Sequence, residues 1–231
     1  MRATWHTLFT DPAFSMRFFL ADAGELWMPL IQHENATYGD LIVLPHLEES
    51  AQVATTIKQF EFFKYLAEHG SSWEFVSKLD DDSFVDAQAF YREFLLPQLA
   101  KPNRERVIIG RRMTHSNPEY VYAGGQFFTL SWEMVTLIAR LYTSNPIKDE
   151  IDDVLLGRLL YEADEWFEFI ELDNQRAFDY DEEGSDVWAW SHKVMEGAIN
   201  PHRLKDDETY LRVAAMYDSN GLKSNYNRAL F

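Results

Sequence analysis

Short apolar runs alternate with segments of helical period along most of this chain, and that alternation constrains the fold more than any other feature. The run 17–21 and the run Leu41, Ile42, Val43, Leu44 are suited to buried strands, the second closed by Pro45. Over 52–68, Val53, Ile57, Phe60 and Phe63 recur at helical spacing before Gly70, which predicts one amphipathic helix. Trp73, Phe75 and Leu79 fit a strand that runs into Asp80, Asp81 and Asp82. Asp86 then suits the cap of a helix whose Phe90, Phe94 and Leu95 face inward until Pro97 stops it. Further strands are expected at 107–109, 127–130 and 166–170, and helices at 132–141, from Asp152 onward, and near 209–216. Strands alternating with helices imply a three-layer α/β/α domain around a mostly parallel central sheet.

A chain of 231 residues, 46% hydrophobic, can bury one sizeable core, and without a repeat or a Gly/Ser linker it reads as a single domain over 1–231. The polar stretch from Asp179 to Asp186 and a loose tail at 218–231 close it. The formal net charge of -17 speaks against binding a phosphate backbone, so no nucleic-acid partner is expected. No stretch is long and apolar enough for a membrane span, and no apolar signal core follows Met1. With no cysteine there is no thiol nucleophile and no zinc–thiolate site. Acidity does suit divalent cations, which bring anionic nucleotides to acidic proteins.

In α/β sheets ligands gather at the carboxyl ends of strands. Lys78-Leu79-Asp80-Asp81-Asp82-Ser83-Phe84-Val85 sets three carboxylates there, a repulsive arrangement unless it is solvated, caps a helix, or is neutralised by a cation. An isolated Asp triplet is more often a charged turn than a metal site. Asp152 and Asp153, at a predicted helix start, serve equally well as caps or as catalytic carboxylates. A lone histidine such as His202 is more often a hydrogen-bonded surface group than a ligand, and the pair Gly124-Gly125 more often a tight turn than a sugar contact.

The surroundings of the triplet tip this balance. Arg2-Ala3-Thr4-Trp5, the 34–42 segment from Glu34 to Ile42, the 73–85 segment around the triplet, Tyr120-Val121-Tyr122-Ala123-Gly124-Gly125-Gln126-Phe127-Phe128, Asp152-Asp153-Val154-Leu155-Leu156-Gly157 and Pro201-His202-Arg203-Leu204-Lys205 together resemble, in order and spacing, the family 31 glycosyltransferases, the β-1,3-galactosyltransferase and Fringe relatives. The resemblance implies a GT-A fold and transfer of a hexose, of galactose or N-acetylglucosamine type, from a UDP-sugar to a glycan, glycoprotein or glycolipid acceptor, with inversion and with Mn²⁺ or Mg²⁺. It assigns Asp82 and His202 to the metal, and Asp80 and Asp81 to ribose, ion or its waters. Arg2, Gly124 and Gly125 go to the nucleotide-sugar, and Asp153 becomes the base. Imidazole beside carboxylates suits Mn²⁺ better than Mg²⁺.

Two departures accompany the match: Asp152 stands where the family commonly has Glu, and the resemblance opens inside the arginine-rich motif, so a first strand and a membrane anchor before it are expected to be missing. The Golgi lumen follows by family analogy alone. A catalytically inactive nucleotide- or glycan-binding remnant of the same fold, and a two-carboxylate glycoside hydrolase needing no nucleotide, remain the rival readings.

Overall fold

The computed structural model describes residues 1–223 apart from 12, 71, 103, 104, 148, 185–187 and 189, so Asp186 and the tail from 224 lie outside it. In chain order the elements are α1 (Trp5–Leu8), β1 (Phe18–Asp22), α2 (Met28–Tyr38), β2 (Leu41–Glu48), α3 (Ala51–Thr55), α4 (Lys58–His69), β3 (Phe75–Leu79) and α5 (Ala87–Phe90). A π-helical turn (Tyr91–Leu95) leads into α6 (Leu96–Leu99), followed by β4 (Val107–Ser116), β5 (Glu119–Ser131), α7 (Trp132–Ser144) and α8 (Asp152–Glu162). Then come β6 (Glu168–Glu171), β7 (Ala177–Tyr180), β8 (Ser191–His192), β9 (Asn200–His202), α9 (Asp207–Ala214) and the small pair β10 (Tyr217–Asp218) and β11 (Gly221–Leu222).

The central sheet has the order β3-β5-β4-β6. Alternate residues of its strands point to opposite faces, and both faces are covered. Ile108, Phe128 and Leu130 join Phe60 and Phe63 of α4, Met134 and Ile138 of α7 and Leu155 and Leu159 of α8 in one core. Val107, Ile109 and Phe127 pack on the other side with Phe90, Leu95, Leu172 and Ile199. This is the three-layer α/β/α arrangement read from the alternation. The pairs β1/β2, β4/β6, β7/β8 and β7/β9 are parallel, whereas β5 runs against both β3 and β4. The sheet is therefore mixed at its centre. The β4–β5 link is a direct reversal, with no helix between the strands to return the chain for a parallel pairing.

Three local expectations change. The helix over 52–68 is two helices, because the backbone breaks at Thr56 (φ -128, ψ -75) while the spacing of Val53, Ile57 and Phe60 continues unaltered across the break. Strand β2 continues past Pro45: β2 pairs only with β1, and Pro45 falls in the irregularity between the Ala21–Leu44 and Asp22–Glu48 partners, where no ladder N–H is needed. The helix after Asp86 also passes Pro97, since the π-helical turn ends just before it and Pro97 lies in the first turn of α6. The cap itself is as expected, with the Asp86 carboxylate accepting from the Ala89 N–H at 2.9 Å. No helix among the described residues is long and apolar enough to cross a membrane.

Candidate active site

Strand β3 ends at Leu79, and the next residues turn: Ser83 N–H donates to the Asp80 carbonyl at 3.1 Å, and Asp80 N–H to the Gln126 carbonyl at 3.1 Å. Beyond the turn the chain is laced to the 199–204 segment. Phe84 N–H reaches the Pro201 carbonyl at 3.0 Å, Asp86 N–H the Ile199 carbonyl at 2.8 Å, and Leu204 N–H the Asp82 carbonyl at 2.9 Å. Asn200, fully buried, donates to the Phe84 carbonyl at 2.8 Å and accepts from Gln126 Nε2 at 3.1 Å. These bonds hold His202 across from the aspartates.

One ligand atom from each of Asp80, Asp82 and His202 lies within 4.8 Å of the others. His202 Nε2 is 3.4 Å from Asp82 Oδ1 and 4.0 Å from Asp80 Oδ2. Its Nδ1 donates to Asp179 Oδ1 at 2.7 Å, which fixes the ring with Nε2 facing the carboxylates. Lys205, largely exposed, pairs with Asp82 Oδ2. Burial would raise Asp82, but His202 and Lys205 overcome it and hold the carboxyl well below the usual carboxylate range. Asp179 is likewise lowered against its burial by His202, Arg111 and Arg203. His202 rises although burial opposes it, because Asp179 and Asp82 favour the imidazolium.

Across the site lies the start of α8. Gly157 lets this helix press on β5, where an added Cβ would stand 2.6 Å from Tyr122 Cβ and 2.9 Å from the Val121 carbonyl oxygen. The helix start thereby meets a break in the β4–β5 ladder. Gly110 pairs with Phe128 and Arg112 with Ala123, so Arg111 alone faces residues 124–127, a bulge that re-aims backbone groups. Gly125 N–H donates to Asp153 Oδ2 at 3.1 Å, and Val154 N–H to Asp153 Oδ1 at 2.7 Å. The Gly125 carbonyl accepts from Lys78 Nζ at 2.5 Å, and Lys78 also bonds Asp80 Oδ1 at 2.5 Å and lies 3.8 Å from Asp152 Oδ2. Lys78 thus ties the two acidic groups together.

The dipole at the start of α8 leads one to expect a lowered pKa for Asp153. The structure gives the opposite sign: burial outweighs the two backbone N–H bonds, and Asp153 is raised. Asp152 is pushed up to about 6, chiefly by burial, with Lys78 opposing.

Of the sequence-derived candidates, Asp80, Asp82 and His202 converge at one corner, and Asp153 and Gly125 meet at the other. Gly124 and Gly125 lie inside β5, in its bulge, and form no turn before it. Asp81 is exposed, and it is Asp80 that shares the cluster with Asp82. Arg2 is engaged elsewhere: it binds Asp40 through Nε at 2.7 Å and Nη2 at 2.8 Å, binds Glu34 at 2.5 Å, and lies over the rings of Phe18 and Tyr38. Those partners tie α1 to the β1–α2–β2 unit. Asp179, Arg111 and Lys205 had no assigned role in the sequence. Asp179 read as the start of a polar, acidic stretch, and nothing local marked it as the histidine's partner.

The sequence model of the family described as Galactosyltransferase matches residues 1–120. Among solved structures, the chain is similar to a glycosyltransferase involved in the glycosylation of the major capsid of PBCV-1, with 11% sequence identity and a TM-score of 0.45, over 88% of this chain and 100% of that one.

Proposed function

The chain belongs to the galactosyltransferase family, and on that premise we propose that it is an inverting, GT-A-type transferase that moves a hexose, of galactose or N-acetylglucosamine type, from a UDP-sugar to a hydroxyl of a glycan on a glycoprotein or glycolipid. One observation carries the reading. A cluster of Asp80, Asp82 and His202, with its imidazole oriented by Asp179, is joined through Lys78 and Gly125 to a half-buried carboxylate, Asp153, whose pKa is raised. Two carboxylates and an imidazole whose far nitrogen is held by a third carboxylate make a donor set suited to Mn²⁺, and serviceable for Mg²⁺.

Asp80, Asp82 and His202 would hold that cation, which when bound neutralises charge on the departing diphosphate as a Lewis acid. The chain's own side chains do the rest. Lys205, exposed and cationic beside Asp82, adds positive charge where the diphosphate oxygens arrive. Lys78 fixes Asp80 and the Gly125 carbonyl relative to one another. Asp153, held by the N–H groups of Gly125 and Val154, accepts the proton of the attacking hydroxyl at a carboxylate oxygen. Its burial supports that role, because a carboxylate with a raised pKa is a stronger base at neutral pH. By family analogy we assign the enzyme to the Golgi lumen.

The test is a panel of UDP-sugars with Mn²⁺, reading UDP release with and without β-galactoside acceptors. Acceptor-stimulated release from one UDP-hexose is expected. A folded protein that binds neither UDP nor any UDP-sugar in the presence of Mn²⁺ would be a remnant of the fold and would overturn the proposal.

A further inference from the structure

One buried cation at the site has no use in the chemistry above. Arg111, the single β4 residue facing the β5 bulge, keeps only 10% of its side chain exposed, and its Nε and Nη1 have no hydrogen-bond partner among the described residues. Its nearest carboxylate oxygen, Asp179 Oδ1, is 3.8 Å away and already accepts from His202 Nδ1. The ring of Trp190 lies 5.9 Å from the guanidinium. A guanidinium offers five N–H donors, and burying them unmatched is costly. An orphan of this kind at a candidate site calls for a ligand that completes it.

The surroundings say where that ligand lies. Arg111 is in electrostatic contact with Asp179, which orients the metal-side histidine, and with Asp153 on the base side. If the transfer proposed above is correct, the anomeric carbon sits between the diphosphate and the base, so the hexose ring occupies the space between these two aspartates. Gly124, itself buried, sets no side chain against the guanidinium. A Cβ there would stand 3.5 Å from Arg111 Nε and 3.7 Å from Nη2, so any larger side chain would cover the guanidinium.

We propose that Arg111 reads the donor sugar, its buried guanidinium donating to hydroxyl oxygens of the transferred hexose on the side where Gly124 sets no side chain against it. It is a specificity-determining contact, separate from the groups that hold the nucleotide. The inference rests on the transferase reading.

The experiment measures Kd for UDP and for the best UDP-hexose of the panel, each with Mn²⁺, in the wild type and in Arg111→Gln, Arg111→Lys and Gly124→Ala, with thermal melts to identify folded variants. Charged hydrogen bonds of this kind lead us to expect the ratio of the UDP-hexose Kd to the UDP Kd to rise roughly tenfold in Arg111→Gln, while UDP affinity stays within about twofold. Arg111→Lys should recover part of the ratio. Gly124→Ala, whose methyl makes ordinary contact with the guanidinium, should move the ratio the same way without touching Arg111. If UDP and UDP-hexose weaken equally, Arg111 serves the diphosphate or the fold, and the proposal is overturned. An unchanged ratio with a raised acceptor KM also overturns it. Failure of the wild type to bind UDP is a different result, since it removes the transferase reading itself.

Discussion

The two acidic corners of the site use the same residue type and titrate in opposite directions. At the β3 and β9 corner, Asp82 is buried and Asp179 half-buried, yet both are lowered, because His202, Lys205 and Arg111 surround them with cationic groups. At the start of α8, Asp152 is buried and Asp153 half-buried, and both are raised, because their partners are mostly backbone N–H groups and the nearby Lys78 is shared with Asp80. Desolvation acts on all four, and the charge of the hydrogen-bond donor decides the sign. One corner thus favours the ionised carboxylate, and the other favours the protonated form more than a free aspartate does.

Removing a carboxylate from each corner should break this division most strongly. Asp82→Ala is expected to abolish Mn²⁺-dependent UDP binding in calorimetry and to cut turnover more than roughly 10³-fold. Asp153→Asn should cut kcat roughly 10²- to 10⁴-fold while UDP binding survives. Equal loss of UDP affinity in both variants would mean the corners do not have separate duties.

A smaller effect is expected from the histidine's orienting partner. Asp179→Asn should weaken Mn²⁺ affinity roughly 10- to 100-fold, the usual cost of losing such a partner, with kcat at saturating Mn²⁺ much less affected. Titrating the metal against UDP release separates the two quantities.

The base side also predicts a pH profile. On the proposed role for Asp153 as base, its carboxyl must be ionised and its pKa is raised, so kcat should rise with pH along a limb displaced upward from the ordinary carboxylate range, and Asp153→Asn should remove that limb from the residual rate. A lowered carboxylate would give a limb rising the same way but displaced downward.

The smallest effect concerns stability. Asp152 binds its proton more tightly folded, with a pKa of about 6 against 3.8 for the ordinary group, so the folded state loses stability as pH rises from about 4 through about 6. Asp152→Asn should flatten that dependence and raise stability at pH 7 by roughly 1–2 kcal/mol, within an upper limit near 3 set by the two-unit rise. Denaturant melts at pH 4.5 and 7.5 with chelator present would measure it, and a variant less stable at pH 7.5 would contradict the burial argument.

Much of this was legible in sequence because it is local. The strand running into the triplet, the Asp86 cap and the acidic first turn of α8 depend on residues within one turn or one strand of each other. Long-range arrangements carried no local mark. His202 meets Asp179 across 23 positions, and Gln126 meets Asn200 across 74. The break at Thr56 was hidden by an apolar spacing that runs through it, and the reversed direction of β5 by strands that look alike in either orientation. The family resemblance supplied His202 where spacing could not. It gave no role to Arg111, whose position depends on the register slip between β4 and β5.

The stitch between the acid loop and the 199–204 segment also bears on the order in which the protein can be made. The Asn200 to Phe84 bond spans 116 positions, so its closure comes late in a chain that emerges amino end first. During synthesis the aspartate triplet is out and waiting, its charges facing only water and Lys78, long before the histidine and Lys205 that answer them exist. The candidate site is therefore among the last parts of the molecule to assemble, and a chain that stalls before residue 200 would carry the core between the central sheet and α4, α7 and α8 beside an unformed site.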